Sequence, residues 1–171
     1  MENNRKIILY TSIFFYSFLI PIIIIFLNGF RDYKYSKIQY NDLIYKEFTV
    51  ENIRKNIDSE VGNTYYILVY EDEKTIKINN LLTKSDVNKQ LNSLQIGDKI
   101  SCYLIEDAKI YNLVEMKKGN NYILSLERYS EIYRDNGIGI MVYMPILFLV
   151  SAVLATKFLI SYKRDKNIIK K

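Results

Sequence analysis

The residue types that most often carry chemistry are scarce in this chain. Its 171 residues include no histidine and one cysteine, Cys102. Histidine is the commonest general base, the commonest zinc ligand and the usual switch near neutral pH, so three function classes lose their ordinary carrier. Carboxylates concentrate at Glu71-Asp72-Glu73 and at Glu106-Asp107. Neighbouring carboxylates can touch a cation, but calcium takes about six to eight oxygens from a shaped loop, and no D-x-D-x-D-G spacing is present. Both clusters read as solvated hairpin tips. Ser101 and Ser125 have no histidine to activate them and lie in no G-x-S-x-G elbow. Cys102 lies in an apolar stretch and reads as a small buried residue; alone, it cannot form an internal disulfide. These residues assign no catalytic group, no metal ligand and no cofactor, and the chain is read as a non-enzyme.

What remains is tyrosine, with 16 copies. Tyr65, Tyr66, Tyr70, Tyr103 and Tyr111 could offer a stacking surface to a sugar, a peptide or a protein partner, because a phenol is apolar on its face and wet at its tip. The competing reading is that they fill or coat a tyrosine-rich core.

The elements that must position these residues are bracketed by two apolar runs. Residues 7–30 are uncharged between Lys6 and Arg31, and residues 136–156 are uncharged between Asp135 and Lys157. A helix crosses the hydrocarbon layer with ~20 apolar residues. Two transmembrane helices are therefore expected, at 7–30 and at 137–160, the second lengthened if Lys157 snorkels. The first run is longer than the ~7–15 apolar residues of a signal peptide, and no small-residue cleavage site follows it. Neither run holds an ionisable residue at its middle, which argues for anchors rather than an ion or proton pathway. Ser151 and Ala155 form a small-xxx-small pair suited to close helix–helix contact. Pro21 and Pro145 fall at matching depths, which would suit paired kinks; the competing and favoured reading is coincidence, since membrane helices tolerate proline.

Charge sets the expected orientation. Residues 1–6 carry net +1 and residues 157–171 net +5, whereas residues 31–135 hold 16 basic and 17 acidic side chains. Short positive flanks stay in the cytoplasm while long loops translocate. Both tails, 1–6 and 161–171, are expected to be cytoplasmic and the central domain extracytoplasmic, in a multi-pass cell-membrane protein. The charge-balanced domain also argues against nucleic-acid binding.

Residues 31–45 read as a linker or helix extension, 46–126 as the domain, and 127–136 as a helical linker. Within the domain, short strands are expected at 46–52, 64–70, 74–78, 100–105, 110–117 and 121–126. Val87, Leu91 and Leu94 recur at i, i+4, i+7, which predicts a short helix over 83–94 capped by Thr83 or Ser85. Lys118-Gly119-Asn120 is a hairpin signal, since Gly and Asn accept positive φ. Leu126, Tyr129 and Tyr133 again carry helical spacing.

The order β-β-β-α-β-β resembles the five-stranded OB-type Greek-key barrel. A meandering open sheet is the alternative. Membrane-tethered OB domains also occur in NfeD-type proteins, partners of stomatin-like scaffolds; their OB domain lies beyond the helices rather than between them, so no residue or role carries over. The two-anchor layout also resembles uncharacterised bacterial two-helix membrane proteins with a small OB-like β domain between the helices. The functional expectation is a non-enzymatic interaction module of the cell envelope, held in the lipid bilayer and binding a membrane or envelope protein or a second copy of itself. The alternative is an extracytoplasmic ligand sensor or transporter accessory protein for a peptide or cell-wall fragment.

Overall fold

The first apolar run forms two helices, α1 (Glu2–Ser17) and α2 (Leu19–Tyr35), separated at Phe18. Proline supplies the reason. Pro21 has no N–H to offer the Ser17 carbonyl four residues before it, so the regular ladder fails there. Phe18 turns tightly onto the Phe15 carbonyl (3.3 Å), and Ile22 resumes the ladder on Phe18. Pro145 does not interrupt its own helix, so the break falls at one proline rather than at a matched pair. The computed structural model describes residues 2–58, 62–83 and 85–168. Lys170 and Lys171 of the expected basic tail, and Lys84 of the expected short helix, lie outside the described residues.

After a 3-10 turn at Tyr40–Asp42, the strands begin: β1 (Ile44–Asp58), β2 (Gly62–Val69) and β3 (Thr75–Ile78). A short helix, α3 (Ser85–Leu91), follows, then β4 (Lys99–Glu106), β5 (Ile110–Lys118) and β6 (Asn121–Leu124). The last element is α4 (Leu126–Ile168). Two compact units result, one from the chain ends (Met1–Tyr33 and Asp135–Lys171) and one from Lys34–Arg134.

The central unit is a closed barrel. β1 is twice the length expected and serves two partners, β4 through residues 44–49 and β2 through residues 50–58. A bulge between Val50 and Asn52 bends the strand between them. β2 pairs with β3, and β3 then pairs in parallel with β5 (Thr75↔Ile110, Ile76↔Tyr111, Lys77↔Asn112). β5 pairs with β4, which completes the circuit β1-β2-β3-β5-β4. β6 pairs onto β5 outside that circuit. The five-stranded closed barrel with a helix between its third and fourth strands matches the expected OB-like topology, and the open sheet is set aside.

Alternation decides which side chains go inside. Val50, Ile67, Ile76, Ile78, Ile100, Leu104 and Leu113 are buried, each contributing about 1.5–3 kcal/mol of transfer free energy. Cys102 is among them, and burial pushes its thiol well above the ordinary range, as expected of an inert core residue. Val87, Leu91 and Leu94 put the apolar stripe of α3 and its exit on the same core. Gly119 has φ +59° at the β5–β6 hairpin, the left-handed conformation its sequence signal predicts.

In the helical unit, small residues set the packing. A Cβ on Gly29 would lie 2.5 Å from Ile140 Cγ2, and one on Gly137 would lie 2.6 Å from the Tyr33 backbone nitrogen. Ala155 is fully buried, and Ser12 Oγ donates to its carbonyl at 3.1 Å. Phe15 and Phe158 stack with centroids 5.8 Å apart. The helix–helix contact expected at Ser151 and Ala155 is thus centred on Ala155, with Ser151 half-buried. Lys6–Tyr35 and Leu126–Tyr162 each contain a window long and apolar enough to cross a membrane, with only 11% and 6% of those residues buried.

Candidate functional site

Among the described residues, no group of three or more acidic or cysteine side chains is arranged to hold a metal ion. The acidic cluster instead performs structural work. Asp72 accepts from Lys46 Nζ at 2.8 Å, from the Tyr111 hydroxyl at 2.7 Å and from the Lys74 backbone N–H at 3.1 Å. Lys46 also meets the Tyr111 hydroxyl, and its ammonium lies 4.6 Å from that ring's centroid. The Lys46 hydrogen bond, then that of Tyr111, holds the Asp72 carboxyl well below the usual carboxylate range, and Asp72 raises Lys46 in turn. A carboxylate so hard to protonate and an ammonium so hard to deprotonate make a poor acid–base pair; they lock the β2–β3 hairpin to β1 and β5. Glu71 accepts from the Thr49 N–H at 2.7 Å, and bonding at Thr49 lowers its carboxyl. The solvated-tip reading therefore holds for Glu73, whereas Glu71 and Asp72 are bonded into the fold.

The five singled-out tyrosines do not form one surface. Tyr65 and Tyr111 are buried at 2% and 1% exposure, so neither belongs to an accessible face. Their parity explains it: both point inward on strands whose alternate residues enter the core. The Tyr65 hydroxyl meets Oδ1 of Asn88 and of Asn92 (2.8 Å to the latter), tying β2 to α3. Tyr66 points outward on β2, and Tyr70 stands exposed just past its end. Tyr103 points outward on β4 and is the one that joins a cluster.

That cluster is the candidate site. Tyr45 on β1 pairs with Tyr103 on β4, which pairs with Glu115 on β5, so the three share the outer face. Tyr40, on the 3-10 turn, adds its ring at 4.7 Å from that of Tyr103, and Tyr45 lies 5.1 Å away on the other side. Tyr40 and Tyr45 remain about half exposed (47% and 51%). Glu115 is the buried anchor at 1% exposure. It accepts from the Tyr40 hydroxyl at 2.8 Å and from the Leu126 N–H at 3.0 Å, capping the first turn of α4, and faces Lys117 Nζ at 3.6 Å. Its hydrogen bond pushes the Tyr40 phenol up to about 12, with burial adding to the effect. Tyr45 donates to Glu47 at 2.6 Å, and that bond raises its phenol too. Lys117 covers the Tyr122 ring at 4.2 Å. Beside the cluster an open cleft of about 390 Å³ runs past Glu47, Thr49, Glu71, Lys99 and Ser101.

The Tyr40 and Tyr45 phenols are held neutral at physiological pH, and their hydroxyls are already engaged by Glu115 and Glu47. The arrangement offers aromatic faces for docking and no activated nucleophile. Sequence reasoning missed Tyr40, Tyr45, Glu115 and Lys117. Beginning β1 two residues earlier would have exposed the Tyr45 parity, and Glu115 was visible as the one carboxylate within the β5 run.

No family model and no curated protein matches the chain in sequence. Among solved structures, part of the chain is similar to part of the crystal structure of the ZRD-deleted mutant of TiaS in complex with agmatine. The likeness has 16% identity and a TM-score of 0.31, and covers 48% of this chain and 23% of that one. This chain thus spans about a quarter of the other, and the likeness is too distant to carry a functional argument.

Proposed function

We propose that the chain is a non-enzymatic, membrane-anchored interaction module of the cell envelope. Its two apolar helices cross the bilayer, both termini are cytoplasmic, and the barrel lies outside, where the Tyr40–Tyr45–Tyr103 cluster docks a membrane or envelope protein. The observation that carries the reading is the low burial of the apolar helix surface, with only 11% and 6% of the spanning segments buried. A helix of a soluble core would be mostly buried, and this surface is matched by lipid. Short basic flanks and a charge-balanced barrel support the orientation. Rigid aromatic side chains fixed by neighbours are the usual anchors of protein interfaces.

Crosslinking in living cells followed by purification through a C-terminal tag tests the docking. Recovery of a discrete membrane protein, lost with Tyr103→Ala, is the expected result. Recovery of the chain alone would overturn it and favour the rival reading, an extracytoplasmic ligand sensor or transporter accessory protein, for which Tyr66, flanked by Arg54 on β1 and Lys77 on β3, speaks. Orientation is tested with Glu73→Cys and an impermeant thiol reagent on intact cells, Cys102 being buried. Labelling is expected, and its absence would put the barrel inside.

A further inference from the structure

A second outer face, on β1, β2, β3 and β5, carries a different pattern. Register places Arg54 opposite Tyr66, Tyr66 opposite Lys77, and Lys77 beside Asn112. The chain neighbours Tyr65, Ile67, Ile76, Ile78, Tyr111 and Leu113 are all buried, so Tyr66, Lys77 and Asn112 point outward, and Arg54 with them. The result is one row across four adjacent strands: guanidinium, phenol, ammonium, amide. Strands lie about 4.8 Å apart, which sets the two cations roughly 10 Å apart at their backbones with the tyrosine ring between.

The cations of the central unit divide into two sets. Lys46, Lys74, Lys117, Lys118 and Arg128 each have a carboxylate within salt-bridge distance. Among the described residues, Arg54 and Lys77 have none, and neither do Lys55, Lys99 and Lys109; Arg54 and Lys77 are set apart by register, which places both beside Tyr66. Because residues 31–135 are charge-balanced, unmatched cations flanking an aromatic ring mark a local surplus with no long-range field behind it.

We propose that this row binds an acidic glycan. A sugar ring stacks on Tyr66, its own and its neighbour's carboxylates meet Arg54 and Lys77, and Asn112, with both donors and an acceptor, takes a hydroxyl. Arginine suits the carboxylate because its planar fork bonds both oxygens at once. Preference for a glycan over single-stranded nucleic acid rests on the extracytoplasmic reading, which the thiol-labelling experiment decides separately.

The test is calorimetric titration of the full chain in detergent micelles with tetragalacturonate. Neutral maltotetraose and an octathymidylate are run alongside. The expected result is binding of tetragalacturonate that weakens with salt and exceeds maltotetraose. Arg54→Gln and Lys77→Gln should each weaken it about tenfold, Tyr66→Ala should do likewise, and Lys89→Gln on α3 should not. Unchanged melting temperatures in the Arg54 and Lys77 variants would separate lost binding from lost folding. Equal binding of the neutral tetramer, no binding of tetragalacturonate, or indifference to Arg54→Gln would overturn the proposal. Tighter binding of octathymidylate would overturn the glycan assignment and give the face to nucleic acid.

Discussion

The two outer faces of the barrel use tyrosine and charge in opposite ways. On the β1–β4–β5 face, Tyr40 and Tyr45 hold carboxylates, Glu115 is satisfied by a phenol, a backbone N–H and Lys117, and the rings brace one another. On the β1–β2–β3–β5 face, Tyr66 stands between two cations that hold nothing among the described residues. The first face contributes to stability through its matched groups. The second leaves its electrostatic capacity unspent. Satisfied polar networks rigidify a surface, whereas unsatisfied exposed charges cost little in water and remain available to a ligand.

Substitutions should rank accordingly. Glu115→Ala is expected to be the most damaging, because it strands the Leu126 N–H and the Tyr40 hydroxyl; a loss of roughly 2–4 kcal/mol in urea unfolding is expected. A loss below that of an exposed substitution would break the contrast. Next is Asp72, whose carboxyl is lowered in the folded chain. The native state therefore holds fewer protons than the unfolded chain in acid. The associated stability is present above the ordinary aspartate value of about 3.9 and is lost as pH falls through the lower folded-state value. Asp72→Asn should flatten the acid limb of stability against pH, read from denaturation midpoints between neutral pH and strong acid. Tyr103→Ala should cost about 1 kcal/mol, the value of exposed ring pairs, while abolishing partner crosslinks. Arg54→Gln should fall within about 0.5 kcal/mol of the parent in thermal unfolding. A larger loss would mean that Arg54 is matched after all, and the contrast between the faces would fail.

Much of the scaffold was readable from periodicity. The apolar runs, the Val87–Leu91–Leu94 stripe, the Gly119 hairpin and the strand order follow from local pattern, and local pattern is where sequence speaks most directly. The double service of β1 was not readable, because residues 53–58 (IRKNID) are mostly polar and only pairing with β2 makes them strand. Nor was the division of the tyrosines. Tyr65 and Tyr66 are chemically equal neighbours in TYYILVY, and only the register of β2 sends one inward and the other out. Asp72 looked solvated because its partners, Lys46 and Tyr111, lie far away in sequence. Pro21 and Pro145 looked equivalent, yet only the first accompanies a break in its helix.

The parallel join between β3 and β5 also imposes an order of events on a growing chain. β1, β2 and β3 can meet as a meander as soon as residue 78 is made, but the far edge of β3 has no partner until residues 110–112 arrive. Until then a strand edge flanked by the apolar residues Ile76 and Ile78 stands open, a template for pairing with any other extended chain. A ribosome stalled, or a transcript truncated, between those two points would leave a three-stranded remnant with a bare edge. Such remnants should be cleared by proteases or aggregate, whereas chains extended past β6 should resist both.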